Sequence, residues 1–144
     1  MSNAKAITLR ERVRSVRVLV VHDQNLQLLC DLLKKDLVVR EAATVDAAVG
    51  RLREMSFACI VCALGAGLSG QDFLAAVSGV VQGDAPYVMF VLPSPQTFEV
   101  MIYARREGAW TREPQMSPEL ESVMRAVDTL AEPLSAVHRA LPTP

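Results

Sequence analysis

Cys59 and Cys62 stand in a C-x-x-C spacing, the first pattern in the chain with chemical potential. A redox pair of this kind sits at a helix start, where the dipole lowers the thiol pKa. Here it lies inside the apolar run Phe57-Ala58-Cys59-Ile60-Val61-Cys62-Ala63-Leu64. If that run is a strand, positions i and i+3 point to opposite faces, with Cα atoms about 10 Å apart at ~3.3 Å per residue. A disulfide needs less than about 7 Å, so the spacing argues against a thioredoxin-like site. With Cys30 the cysteines number 3, an odd count that gives no disulfide framework. Gly65-Ala66-Gly67 and Gly70 have a superficial likeness to a phosphate loop. They lack both G-x-G-x-x-G and G-K-[ST], and read more simply as a turn. No Ser-His-Asp set and no carboxylate pair stands out from ordinary surface acids.

The elements that would hold these residues alternate in type. Val16 to Val21 is rich in β-branched residues and reads as a first strand. Asn25 to Lys35 carries Leu26, Leu29, Cys30 and Leu33 at helical spacing. Leu37 to Arg40 reads as a short second strand. Thr44 is placed to cap a helix bearing Ala48, Leu52 and Met55. Phe57 to Leu64 is apolar throughout, as a central parallel strand should be. A third helix from Gln71 to Val81 and a fourth strand from Tyr87 to Leu92 follow. Pro95 to Glu107 reads as a fourth helix, ended by Gly108 as a C-cap. Ala109 to Arg112 is a short fifth strand. Ser117-Pro118-Glu119 opens a last helix that runs to Ala131, where Pro133 interrupts it. Alternation of this kind predicts an α/β fold: a (βα)5, flavodoxin-like three-layer sandwich with a parallel sheet in the order 2-1-3-4-5.

Composition narrows the function classes. The chain has 144 residues, is 51% apolar and carries a net charge of −1. That charge offers no electrostatic reason to expect nucleic acid or an anionic membrane as partner. Aromatics make up only 5%, too few for a base-stacking platform. No run approaches the roughly 20 apolar residues of a membrane span, and the polar, basic start has no signal-peptide core. The expected address is the cytoplasm. Residues 1–14 read as an N-terminal extension, its first four residues resembling a tag remnant. Residues 15–131 read as one domain and 132–144 as a tail or short helix.

A series of features then occurs in a set order: Val20-Val21-His22-Asp23, Glu41-Ala42-Ala43-Thr44-Val45-Asp46-Ala47-Ala48, the third strand with its loop to Gly70, Gly108-Ala109, Glu113-Pro114, and Ser117-Pro118-Glu119-Leu120. Together, over Val16 to Val127, they resemble the response-regulator receiver family. The resemblance implies positions for phosphoryl chemistry, and most are changed. The phosphoacceptor aspartate matches Cys62, which cannot form an acyl phosphate. The acid pair that binds Mg²⁺ matches His22-Asp23, leaving one carboxylate where a hard cation wants several oxygens. The phosphate-pairing lysine matches Glu113, a charge reversal. The hydroxyl position falls on Val91 or Leu92, and the aromatic switch position on Trp110.

The resemblance therefore implies a phosphorylation-independent pseudo-receiver: a signalling or protein-interaction module, not an enzyme, with no cofactor and no metal. His22, Asp23 and Cys62 are of ligand type for zinc, but no fourth ligand is evident. The expected partner is another protein or a second copy, docked on the fourth helix, fifth strand and last helix. Phe98, Met101, Ile102, Tyr103, Arg105, Arg106 and Trp110 are the candidates on that face. A small-molecule or thiol-redox sensor using the pocket around Cys62 is the alternative. A conventional phospho-receiver with substituted residues is disfavoured.

Overall fold

The computed structural model describes residues 16–22, 26–63, 69–81, 86–93 and 98–140, with Pro93, Phe98 and residues 131–140 described by backbone alone. Asp23, the loop glycines Gly65 and Gly67, and the N-terminal extension lie outside the described residues. The elements are β1 (Arg17–Val21), α1 (Gln27–Leu33), β2 (Val38–Ala42), α2 (Val45–Glu54), β3 (Cys59–Ala63), α3 (Gly70–Val80), β4 (Tyr87–Pro93), β5 (Phe98–Arg106), β6 (Ala109–Glu113), a 3-10 turn at Pro118–Leu120, and α4 (Glu121–Ala140).

These strands form one six-stranded sheet in the order β2-β1-β3-β4-β5-β6. β1 pairs in parallel with β2 and β3, and β3 with β4. β5 and β6 pair antiparallel. The expected five-stranded, all-parallel flavodoxin-like sheet is therefore corrected to a mixed sheet of six strands.

The correction has a local cause. The stretch expected to be the fourth helix is β5. Its residues Phe98, Met101, Ile102 and Arg105 fit a helical period, but Val100, Ile102 and Ala104 also fit a period of two. Four of its nine residues, Phe98, Val100, Ile102 and Tyr103, are β-branched or aromatic, which favours the strand. Gly108 does adopt positive φ, as a C-cap would, at +80°. Glu107 beside it is also positive, at +53°. Two successive positive-φ residues between the paired Arg106 and Ala109 make a two-residue hairpin turn of the type that matches strand twist.

Two apolar layers sandwich the sheet. On one face Val18, Val20, Cys59, Val61, Met89 and Val91 meet α1 and α4. On the other, Leu19, Val21, Ile60, Cys62, Val88 and Phe90 meet α2 and α3. Cys59 and Cys62 do face opposite layers, as strand geometry requires. Thr44 caps α2 by accepting the Ala47 N–H, and Ser69 caps α3 by accepting the Asp72 N–H. At the C-terminus α4 continues through Pro133 to Ala140. Residues 132–140 therefore continue the last helix and are not a separate element. No helix of the described residues is long and apolar enough to cross a membrane.

Candidate functional site

His22 follows β1 directly, and its N–H donates to the Ala42 carbonyl at 2.9 Å, extending the β1–β2 ladder by one rung. This puts the imidazole at the carboxyl end of the parallel strands, beside the β1/β3 switch in strand order where open α/β sheets bind ligands. The ring turns toward α1 and β2. Its Nε2 lies 2.9 Å from Glu41 Oε1 and 3.5 Å from Cys30 Sγ. Its Nδ1 accepts the Leu26 N–H at 3.2 Å. Lys34 Nζ donates to Glu41 Oε2 at 3.0 Å. His22 and Cys30 are buried, while Glu41 is partly open to solvent.

The electrostatics follow from these contacts. Hydrogen bonds from His22 and then Lys34 hold the Glu41 carboxyl below its ordinary range. Burial, reinforced by the Glu41 charge, pushes the Cys30 thiol up to about 12. The geometry is not that of a nucleophilic triad. A triad uses one ring nitrogen for the nucleophile and the other for the carboxylate. Here Cys30 and Glu41 share Nε2, and Nδ1 is an acceptor. An acceptor at Nδ1 fixes the neutral ring as the Nε2–H tautomer, donating to Glu41.

Among the described residues, those expected to surround one degenerate phosphorylation pocket do not all converge. Cys62 pairs in register with Val21, one residue before His22, and its side chain enters the α2/α3 layer. It is fully buried, and burial pushes its thiol up to about 12. A thiol sensor needs an accessible, low-pKa sulfur, so both properties work against thiol sensing at Cys62. Val91 is buried in the opposite layer, beside Ala63 and Val100 in the strand register, and Leu92 is half-buried opposite Glu99. Glu113 lies on β6, three strands from Cys62, which is about 14 Å at ~4.8 Å per strand. There it accepts from Arg106 at 2.7 Å.

The interface candidates need a second correction. The helix expected over Pro95 to Glu107 is not there to dock on among the described residues; Phe98, Met101, Ile102, Tyr103, Arg105 and Arg106 are strand residues. Ile102 is buried toward α4, whereas Met101 and Tyr103 lie half-buried on the α2/α3 side with Trp110. Trp110 Nε1 donates to Ser78 Oγ at 2.7 Å, tying β6 to α3. The Arg112 guanidinium sits 5.9 Å over the Tyr103 ring. Gly70, Leu74, Phe90, Met101, Tyr103 and Trp110 line an open cavity of about 560 Å³ between α3 and the hairpin.

β6 closes the sheet on this side, and no described residue pairs with its outer edge. A two-residue turn closes on a hydrogen-bonded pair, and such pairs recur at every second position. The backbone N–H and C=O of Ala109, Thr111 and Glu113 thus face β5, while those of Trp110 and Arg112 face outward.

Sequence reasoning missed Cys30, Lys34 and Glu41. Cys30 read as one more apolar residue of a helix, and Glu41 as part of a receiver-like junction. The available signal was the i, i+4 spacing of Leu26, Cys30 and Lys34, which puts all three on the helix face that follows His22. Comparison of the chain with family models, curated proteins and solved structures gives no match.

Proposed function

We propose that this chain is a regulatory interaction module that acts by contact instead of phosphoryl transfer, with a second copy of itself as partner. The observation that carries this is the outer edge of β6. Its five residues run without proline or bulge, and only Arg112 and Glu113 guard it with charge. Antiparallel pairing of two β6 strands about Thr111 would set Trp110 opposite the partner copy's residue 112, and Ala109 opposite its residue 113. The outward N–H and C=O groups of Trp110 and Arg112 then meet each other, which is the pairing an antiparallel ladder needs. Each Trp–Arg pair lies on the open α3 side of the sheet, where a guanidinium can cover an indole face. The edge is self-complementary, as a two-fold interface must be. Burial of Cys62 and the Arg106–Glu113 ion pair support the other half of the reading, because neither residue is free to hold a phosphoryl group.

Two measurements test this. Sedimentation should show a reversible dimer that Arg112→Pro abolishes, since that N–H faces outward and its loss leaves the β5 ladder intact. Acetyl phosphate with Mg²⁺ should leave the intact mass unchanged. A strictly monomeric wild type at high concentration sinks the self-pairing, and a stable adduct of phosphate mass sinks the contact-only mechanism.

A further inference from the structure

The cluster at the end of β1 brings three different ligand types together: an imidazole nitrogen, a thiol and a carboxylate oxygen, all within 4.8 Å of one another. We propose that His22 Nε2, Cys30 Sγ and one oxygen of Glu41 form a site for a single borderline-soft divalent cation, with Zn²⁺ the best match. The sequence reading expects no metal and names His22 with Asp23 and Cys62 as ligand types, so this site goes beyond it, and it is independent of pairing through β6.

Bond lengths of about 2.0–2.3 Å in a tetrahedral zinc site place ligand atoms roughly 3.2–3.8 Å apart. The Cys30–His22 separation of 3.5 Å already fits, and the 2.9 Å His22–Glu41 contact needs to open only slightly. A mixed N, S and O set suits Zn²⁺ and excludes Mg²⁺ or Ca²⁺, which take oxygen. The three ligands come from three elements, the end of β1, α1 and β2, so their relative positions are fixed by the sheet and the packed helix. Lys34 on Glu41 Oε2 leaves Oε1 as the single ligating oxygen. The partly exposed side of Glu41 supplies the path for the ion and a fourth position for water.

Loading the site has a structural consequence. The thiol proton leaves to solvent as the thiolate–metal bond forms. Nε2 must also give up its proton, so the neutral ring then carries hydrogen on Nδ1. That nitrogen now faces the Leu26 N–H, donor against donor, and their 3.2 Å hydrogen bond must break. Leu26 is the residue immediately before α1, so metal binding turns the peptide that starts this helix.

The test is a Co²⁺ titration of the whole chain. One equivalent should give near-ultraviolet thiolate-to-cobalt charge transfer and the visible bands of a four-coordinate ion, all displaced by one equivalent of Zn²⁺. Cys30→Ser should abolish the charge-transfer band, whereas Cys59→Ala, outside the cluster, should keep it. Glu41→Gln, at a partly exposed position where folding is not at risk, should weaken binding by more than about tenfold, the least that even a supporting partner of a ligand contributes. Zn²⁺ should also speed hydrogen exchange at the Leu26 amide. Absence of charge transfer, its survival in Cys30→Ser, or unchanged affinity in Glu41→Gln overturns the site. Unchanged exchange at Leu26 overturns ligation through Nε2.

Discussion

β1 and β3 are covered by helices on both faces, whereas the β5–β6 hairpin is covered by α4 on one face and only at its margin by α3 on the other. The first arrangement produces near-continuous apolar runs: Val18 to Val21 is buried after the exposed Arg17, and Cys59-Ile60-Val61-Cys62-Ala63 is buried at all five positions. The second produces alternation, with Val100, Ile102 and Ala104 directed inward and Glu99, Met101, Tyr103 and Arg105 directed toward the α3 side. Double coverage leaves no surface to work with. Single coverage leaves a half-buried aromatic face and a cavity, beside an edge of β6 that no described residue pairs with. The contrast explains why the parallel half holds its polar cluster at the strand ends, while the hairpin keeps half-buried side chains along its length.

Phe90 joins the two regions. Its ring makes edge-to-face contacts with Phe73 of α3 at 6.0 Å and with Tyr103 of β5 at 5.7 Å. Phe90→Ala should lower unfolding free energy by about 3–5 kcal/mol in a urea titration. A loss below about 1 kcal/mol would mean that the hairpin and the parallel half do not share a core.

The buried thiols sharpen the contrast through pH. Burial raises the Cys59 and Cys62 thiols to about 12, from an unfolded value near 9. Above pH 9 the unfolded chain loses these protons and the folded chain keeps them. Their contribution is therefore complete below pH 9 and declines as pH rises toward 12, by up to about 1.4 kcal/mol per thiol for each pH unit. Alkaline unfolding followed by circular dichroism should show a shallower decline in Cys62→Ala than in wild type. Equal slopes would place the thiol in water.

A smaller effect separates hairpin from helix by sign. Glu107 holds a positive φ in the turn. Glu107→Asn creates Asn-Gly, the preferred pair for this turn, and should stabilise the protein by about 0.5–1 kcal/mol. In a helix ending at Gly108 the same change would destabilise by a few tenths of a kcal/mol, because Asn is the poorer helix former. The direction of the shift in melting temperature decides.

The parallel half was legible in the sequence because double burial leaves a plain mark: continuous apolar runs, separated by amphipathic segments, one of them with Thr44 at its start. The hairpin was not, because Phe98 to Arg106 satisfies a period of 3.6 and a period of 2 at once. Gly108 also meets the demands of both a helix C-cap and a turn. Only Glu107 distinguishes them, and its φ leaves no trace in residue type. At the candidate site His22 was legible by its place after β1. Cys30 and Glu41 were hidden, since a buried cysteine in a helix looks like any apolar residue until the fold turns it toward a histidine. Glu113 shares a pocket with Cys62 only in an all-parallel sheet; the hairpin carries it three strands away.

The claim that the free edge of β6 is the working surface can be tested directly by hydrogen exchange at the Trp110 and Arg112 amides, measured over a range of protein concentrations. Pairing between copies predicts protection at these two amides that grows with concentration and disappears on dilution, while Thr111, bonded within the hairpin, stays protected throughout. Exchange at Trp110 and Arg112 that is fast and independent of concentration would contradict it.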